Sequence, residues 1–266
     1  MDKLRKLVAN MELFWEYREL LWNLANREIT QRYKQSVLGY AWVILNPLFQ
    51  LLVMSFVFDK VLHVPSLGVP FIIFLSAALL PWNFFTSSLT SSSNALVSNS
   101  NLITKIYFPR EILVYATIIA KMVDFGYSSL VLIFFLILYQ IPLHPTIVWV
   151  PVIFSIQLFL MTGISLLVAA LNLFYRDIQY LLSIILLLWM YITPIMYPIE
   201  IIPQQYRFVL SLNPMAVIVN AYRQVIVSGG APNVNSLGIA ALISVVVFTL
   251  GFLVFKKFEG EFADYV

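Results

Sequence analysis

Few side chains in this chain could carry chemistry. Its 266 residues hold two histidines, no cysteine and only 11% charged residues. The absence of cysteine excludes disulfides, thiolate nucleophiles and thiolate metal ligands. His63 and His144 fall at the ends of apolar runs and lack metal-ligand spacing, so no metal site is expected. No phosphate-binding loop of the form G-x-x-x-x-G-K-[ST] is present, and neither is a nucleophile-elbow or zincin pattern. The charges that could act gather in a few places. Arg27, Arg32 and Lys34 lie within eight residues and could hold a phosphate or diphosphate. The same three cations would serve equally well as a membrane anchor. Lys121 and Asp124 stand at i, i+3 on one helix face, the spacing of an ion pair. A structural pair is the expected role, because a proton relay requires a lone intramembrane acid.

The elements that position these residues must be membrane helices. Hydrophobic residues make up 61% of the chain and the mean hydropathy is +0.88. A soluble domain carries roughly 25% charged residues, so this apolar excess requires lipid as its solvent. A crossing needs about 20 apolar residues at ~1.5 Å each. Runs at 38–58, 69–91, 118–139, 147–172, 178–198 and 237–255 meet that length, with Pro- and Gly-rich turns between them. The expected fold is therefore all-α and integral to the membrane, one domain with six transmembrane helices. Residues 1–35 show no short apolar core with a small-residue cleavage site, so no removable signal peptide is expected.

Charge sets the orientation. With the N-terminus inside, most Lys and Arg residues fall on the cytoplasmic side, leaving Lys60, Arg207 and Arg223 outside. The positive-inside rule then places both termini in the cytoplasm.

Four further segments stand apart from the crossings. Residues 10–34 form an interface helix and basic hinge. There Leu13, Phe14, Tyr17, Leu20, Leu21 and Leu24 share one face, flanked by Trp15 and Trp22. Residues 97–111 put Leu102, Ile103, Ile106, Tyr107 and Phe108 on the cytoplasmic side, either as a docking surface or packed on the chain's own helix ends. Residues 199–228 are broken by Asn213-Pro214 and are expected to dip into the outer leaflet as two short re-entrant helices. Residues 86–101, TSSLTSSSNALVSNSN, are rich in hydroxyls and amides. Aromatic residues are plentiful, with 21 Phe, 14 Tyr and 6 Trp. Tyr40, Trp42, Phe84, Phe85, Trp189 and Tyr191 could line a glycan path, since sugar rings stack on aromatic faces. Belt and core packing account for such residues equally well.

Four stretches carry a family resemblance. Residues 27–49, REITQRYKQSVLGYAWVILNPLF, resemble the segment entering the first span of type-2 ABC permeases that export polysaccharides. Residues 107–125 resemble the same family after its coupling helix. Residues 171–197 match its Y-R-D turn and the T-P near the end of the fifth span. Leu212-Asn213-Pro214-Met215 matches the L-N-P-M of its outer gate helices.

The resemblance implies an ATP-driven exporter. Two copies of the chain would pair with two separate ATPase subunits, which would bind ATP and Mg, and this chain would hold no cofactor and would not be an enzyme. The substrate would be a glycan on a polyprenyl diphosphate lipid, as for O-antigen, capsule or teichoic acid, and nucleic acid is not an expected partner. Asn101, Leu102, Ile103, Thr104, Lys105, Ile106, Tyr107 and Phe108 would be the coupling helix. Arg27, Arg32, Tyr33, Lys34, Leu38 and Gly39 would lie where the lipid diphosphate enters. Pro203, Tyr206, Arg207, Asn213, Pro214, Tyr222 and Arg223 would belong to the outer gate. Tyr175, Arg176 and Asp177 would sit on the cytoplasmic side, with a structural role as open as substrate contact.

Three other readings remain at this point. A type-2 ABC permease for drugs or other lipids shares the fold. A secondary transporter would show repeats or matched broken helices, which are not evident. A membrane enzyme acting on polyprenyl lipids would need carboxylates or histidines gathered at one face, and here they are scattered.

Overall fold

The computed structural model describes residues 16–33, 36–66 and 68–265. Among them the chain is helical throughout, with no strand. The helices are α1 (Arg18–Tyr33), α2 (Ala41–Ser55), α3 (Phe71–Ser93), α4 (Ser100–Lys105), α5 (Glu111–Leu138) and α6 (Val150–Phe174). They continue as α7 (Ile178–Ile192), α8 (Gln204–Ser211), α9 (Pro214–Arg223), α10 (Val234–Phe258) and α11 (Phe262–Tyr265). A wider π turn, Phe56–Val61, extends α2, and another, Gln224–Ser228, extends α9.

Five stretches among the described residues are long and apolar enough to cross a membrane: Ala41–Val61, Phe71–Ser93, Glu111–Leu138, Pro145–Phe174 and Val234–Tyr265. The crossing predicted at 178–198 differs. Its helix α7 has 15 residues and stops at Ile192. At ~1.5 Å per residue it covers about 22 Å of a hydrocarbon layer ~30 Å thick. The cause is Pro194. Its ring disfavours helical backbone at the residue before it, and Thr193 is extended, with φ −88 and ψ 130.

The hydroxyl-rich α3 lies at the centre of the bundle. Its apolar window is 83% buried, against 17% for α2 and 22% for α5, so α3 is walled by protein while those two face lipid. It packs on α2, α5, α6, α7 and α9. Gln157 of α6 is fully buried and donates through Nε2 to the Pro81 carbonyl of α3 at 2.8 Å. Helix α6 also pairs closely with α10, where Gly163 and Gly251 face each other. Small residues at such a crossing let two membrane helices approach backbone to backbone.

Helix α1 spends its apolar stripe on protein. Leu24 and Ala25 are buried, Tyr17, Leu20 and Leu21 pack beside them, and the helix lies along α5. Trp22 stays exposed. Leu13, Phe14 and Trp15 of the predicted interface helix lie outside the described residues.

Candidate functional site

Three regions gather the polar and charged side chains. The first is the loop between α3 and α5. Its short helix α4 follows a 3-10 turn, Val97–Asn99. Ile103 and Phe108 point inward, at 3% and 5% exposure. Asn101, Thr104 and Lys105 are exposed, Leu102 is half-buried, and Ile106 and Tyr107 project outward at 57% and 95% exposure. The helix predicted over 101–108 ends at Lys105, and the segment combines two apolar anchors with an outward edge that no described residue covers.

That loop is braced by a clamp which sequence reasoning missed. The backbone N–H of Arg110 donates to Glu259 Oε1 at 2.9 Å, and its guanidinium donates to the Glu259 carbonyl. Lys256 bridges Glu111 at 2.7 Å and Glu259 at 2.9 Å. Phe262 is fully buried beside Phe255 and Phe174, and its ring also lies under Arg110. The signal available in sequence was weak: a basic and an acidic residue three apart, Lys256 and Glu259, at the end of an apolar run.

Arg27 reaches the same loop, donating to the Asn99 side chain. Lys34 lies outside the described residues, as do the side chains of Arg32 and Tyr33. Leu38 is exposed, and Gly39 turns the chain into α2 with φ +49, a backbone angle that favours glycine. The Y-R-D turn is exposed at Tyr175, Arg176 and Asp177. It is held by the preceding Asn172, which donates to the Ser93 carbonyl at 2.8 Å and accepts from the Gln179 N–H at 3.1 Å.

The second region is a polar groove of about 250 Å³ between α2, α3 and α5. Trp42, Asn46, Gln50, Asn83, Lys121 and Asp124 line it, among others. Asn83 donates to Gln50 at 2.8 Å, and Lys121 pairs with Asp124 at 3.9 Å, as the i, i+3 spacing predicts. Asn83, Ser87, Thr90 and Asn94 follow helical spacing and keep open faces, while Ser88, Ser92 and Ser93 turn inward. Polar groups at membrane depth are costly unless they serve a path or a pair.

The aromatic candidates divide here. Phe85 is fully buried against Trp189, with centroids 5.3 Å apart. Phe84 is 2% exposed and stacks on Phe125 at 4.9 Å and Phe154 at 5.8 Å. Both rings pack in the core, Phe84 also bordering the groove, so core packing accounts for Phe85. Tyr40 is half-buried against Tyr127 at 5.5 Å, Trp42 opens on the groove, and Tyr191 is exposed.

The third region joins the end of α7 to α8 and α9. Pro203 immediately precedes α8, Tyr206 is exposed, and Arg207 donates to the carbonyls of Ile202 at 2.9 Å and Glu200 at 3.0 Å. Asn213 caps α9, accepting from the N–H groups of Met215 at 3.1 Å and Ala216 at 3.3 Å. Its oxygen also accepts from the Trp189 indole at 2.9 Å, and its amide donates to Thr193 Oγ1 at 3.1 Å. Pro214 occupies the first turn, where a missing N–H costs nothing.

Arg223, expected among the outer gate residues, is buried at 3% exposure. Its guanidinium donates to the carbonyls of Pro194, Ile195 and Tyr197, and to Phe74 at 3.1 Å, while lying 3.7 Å over the Phe74 ring. The backbone carbonyls released where α7 breaks are satisfied by this side chain. Such a break at membrane depth is tolerated only when protein covers it.

A profile of the ABC-2 type transporter family matches residues 19–227, a stretch that contains all three regions except the tail of the clamp. The chain belongs to the ABC-2 type transporter family. Among its relatives is the O-antigen export system permease protein RfbA of Klebsiella pneumoniae, 31% identical over 250 residues, covering 92% of this chain and 94% of the relative. RfbA of Myxococcus xanthus is 31% identical over 253 residues, covering 94% and 96%. The polysialic acid transport protein KpsM of Escherichia coli is 27% identical over 243 residues, covering 88% and 91%. This ABC-2 chain is a multi-pass membrane protein, with five long apolar helices and the shorter α7.

Among the described residues of this ABC-2 protein, no group of His, Cys, Asp or Glu is placed to hold a metal. What the ABC-2 chain presents instead is an uncovered loop edge, a hydroxyl- and amide-lined groove, and a broken helix pinned by one arginine.

Proposed function

We propose that this ABC-2 chain is the membrane-spanning permease subunit of an ATP-driven exporter of polyprenyl-diphosphate-linked polysaccharide. Polysaccharide export accords with relatives named for O-antigen export and polysialic acid transport that align over nearly the whole chain. The observation that carries the mechanism is the loop edge at Ile106 and Tyr107, exposed just past the short helix α4, between the inward anchors Ile103 and Phe108. An apolar edge of that kind is a docking surface. A separate ATPase subunit is its partner in this reading, which matches the lack of a phosphate-binding loop here. ATP and Mg bind in that partner.

The assembly has two permease copies and two ATPase subunits. Closure of the ATPases pushes on α4, and the clamp at Glu259 and Lys256 passes that motion to α5 and α10. Glycan hydroxyls find donors and acceptors at Asn46, Gln50, Asn83 and Ser87, and a stacking face at Trp42. The lipid tail stays in hydrocarbon, and the diphosphate is met by the basic hinge at Arg27, Arg32 and Lys34. The protein sits in the bacterial inner membrane with both termini in the cytoplasm. The α7 segment with its pinned extension then serves as the sixth crossing, and α8 and α9 form the outer gate.

The test places a charge on the exposed edge. Tyr107→Glu should leave the chain folded and at normal membrane abundance, yet abolish co-purification of the ATPase and ATP-dependent glycan export. Unchanged export in that variant would remove the docking role.

A further inference from the structure

A second cavity lies away from the polar groove, between α3, α5, α6 and the end of α9. Its volume is about 640 Å³. That is within the range of small-molecule sites, roughly 300–1,000 Å³. Its walls are apolar, with Ala77, Leu132, Leu136 and Phe154 among them. Its mouth is edged by Ile133 and Ile137, both exposed on the lipid-facing side of α5. Along α5 it runs from Phe125 to Ile137, about 18 Å at helical rise. That is a little over half of a ~30 Å hydrocarbon layer, close to the depth of a single leaflet.

One polar atom in this cavity is out of place. Tyr222 lines it, is 2% exposed, and its hydroxyl has no hydrogen-bond partner among the described residues. A buried hydroxyl left unpaired is costly, so a missing acceptor is implied. Tyr222 adjoins Arg223, which bonds Phe74 in the first turn of α3. Tyr222 thus belongs to the end of the cavity nearest the start of α3, and the walls running toward Phe125 are largely apolar.

We propose that this cavity holds one fatty-acyl chain of a glycerophospholipid from the leaflet on the α8–α9 side, with the Tyr222 hydroxyl donating to its ester carbonyl. The cavity pairs one buried, unpartnered donor with largely apolar walls, Ser129 being spent on the Phe125 carbonyl and Gln140 lying exposed past the end of α5, and that pattern suits an acyl ester. A polyprenyl diphosphate fits less well. Its tail carries no acceptor, its head is anionic, and no Lys, Arg or His lines this cavity. The bilayer is the solvent at the mouth, so an aliphatic chain rather than water is the species at hand.

The probe is a phosphatidylethanolamine with a photoactivatable diazirine in mid-chain, added to vesicles containing the full chain with its partner proteins. Labelled peptides are mapped after illumination. Label should concentrate in residues 129–141 and 147–154. Ile133→Trp changes an exposed mouth residue, so the fold should tolerate it, and it should remove that concentration. Tyr222→Phe deletes only the hydroxyl and should weaken site labelling about fivefold, the equivalent of one hydrogen bond. Label spread evenly over the exposed faces of α2, α5 and α10 would overturn the site. So would labelling that Ile133→Trp leaves unchanged, a stronger signal from a diazirine polyprenyl diphosphate, or crosslinks joining two copies through this mouth. Unchanged labelling in Tyr222→Phe would overturn the carbonyl contact.

Discussion

The indole N–H of Trp189 donates to Asn213 Oδ1 at 2.9 Å. This bond joins α7 to the cap of α9 across the 193–213 connection, which carries Pro194 and helix α8. Asn213 also holds Thr193 and two backbone N–H groups, so one side chain ties the end of α7 to the start of α9.

Asn213→Ala should therefore cost more than an ordinary cap. A lost cap costs about 0.5–2 kcal/mol, and an interhelical hydrogen bond in a membrane about 0.6 kcal/mol. The expected total is about 1–3 kcal/mol, read as a lower unfolding midpoint in detergent. Trp189→Phe removes only one of these bonds and should cost less. Equal losses in the two variants would mean that Asn213 acts only through Trp189.

Arg223 should tolerate no replacement. Removing it strands the carbonyls of Pro194, Ile195 and Tyr197 in a protein interior. Each buried carbonyl left without its donor costs about 1–3 kcal/mol. Arg223→Met should sharply lower membrane abundance. Arg223→Lys should fail as well, because an ammonium lacks the planar fork that reaches several carbonyls at once. Recovery of full-length, active Arg223→Lys protein would show that charge alone suffices.

The contact between α6 and α10 should be equally intolerant of added volume. A Cβ at Gly163 would come 2.5 Å from the Phe248 Cα, a backbone atom that cannot yield. Gly163→Ala should separate the helices and cost about 1–3 kcal/mol, the range for overpacking. Gly238→Ala is the control: that glycine is exposed, has open space around its Cβ, and lies within α10. It should be neutral or slightly stabilising, because alanine favours a helix by up to about 1 kcal/mol. Thermal unfolding of the pair separates packing from helix propensity.

The clamp on α4 predicts a change in dynamics. Lys256→Met leaves Glu111, 5% exposed, with its ion-pair partner gone. Amide hydrogen exchange should rise in residues 97–111 while α3 stays protected. Unaltered exchange there would mean that the apolar contacts of Phe262 alone hold the loop.

Lys121 and Asp124 supply a test of role. Both are nearly buried, at 11% and 17% side-chain exposure. If they form a structural pair, Lys121→Met combined with Asp124→Leu should be better tolerated than either change alone. A double variant as stable as the native protein but inactive in export would instead assign them to the groove's function.

Much of the scaffold was legible in sequence. The long apolar runs, the helical stripe of α1, the break at Asn213-Pro214 and the Lys121–Asp124 pair are local patterns, because helical rise and the need to satisfy backbone groups in lipid act residue by residue. Family membership was legible too, from motifs spread over residues 27–215. Three matters belonged to tertiary structure. A side chain's partner 28 or 149 positions away leaves no local trace, so the inward turn of Arg223 toward Ile195 and Phe74 could not be read from its charge. An aromatic residue looks alike in sequence whether it faces a path or a core, and only the packing of α3 against α5 and α6 buried Phe84. Composition likewise cannot locate an unfilled space, since a cavity such as the one beneath Tyr222 exists only where the contours of separate helices fail to meet.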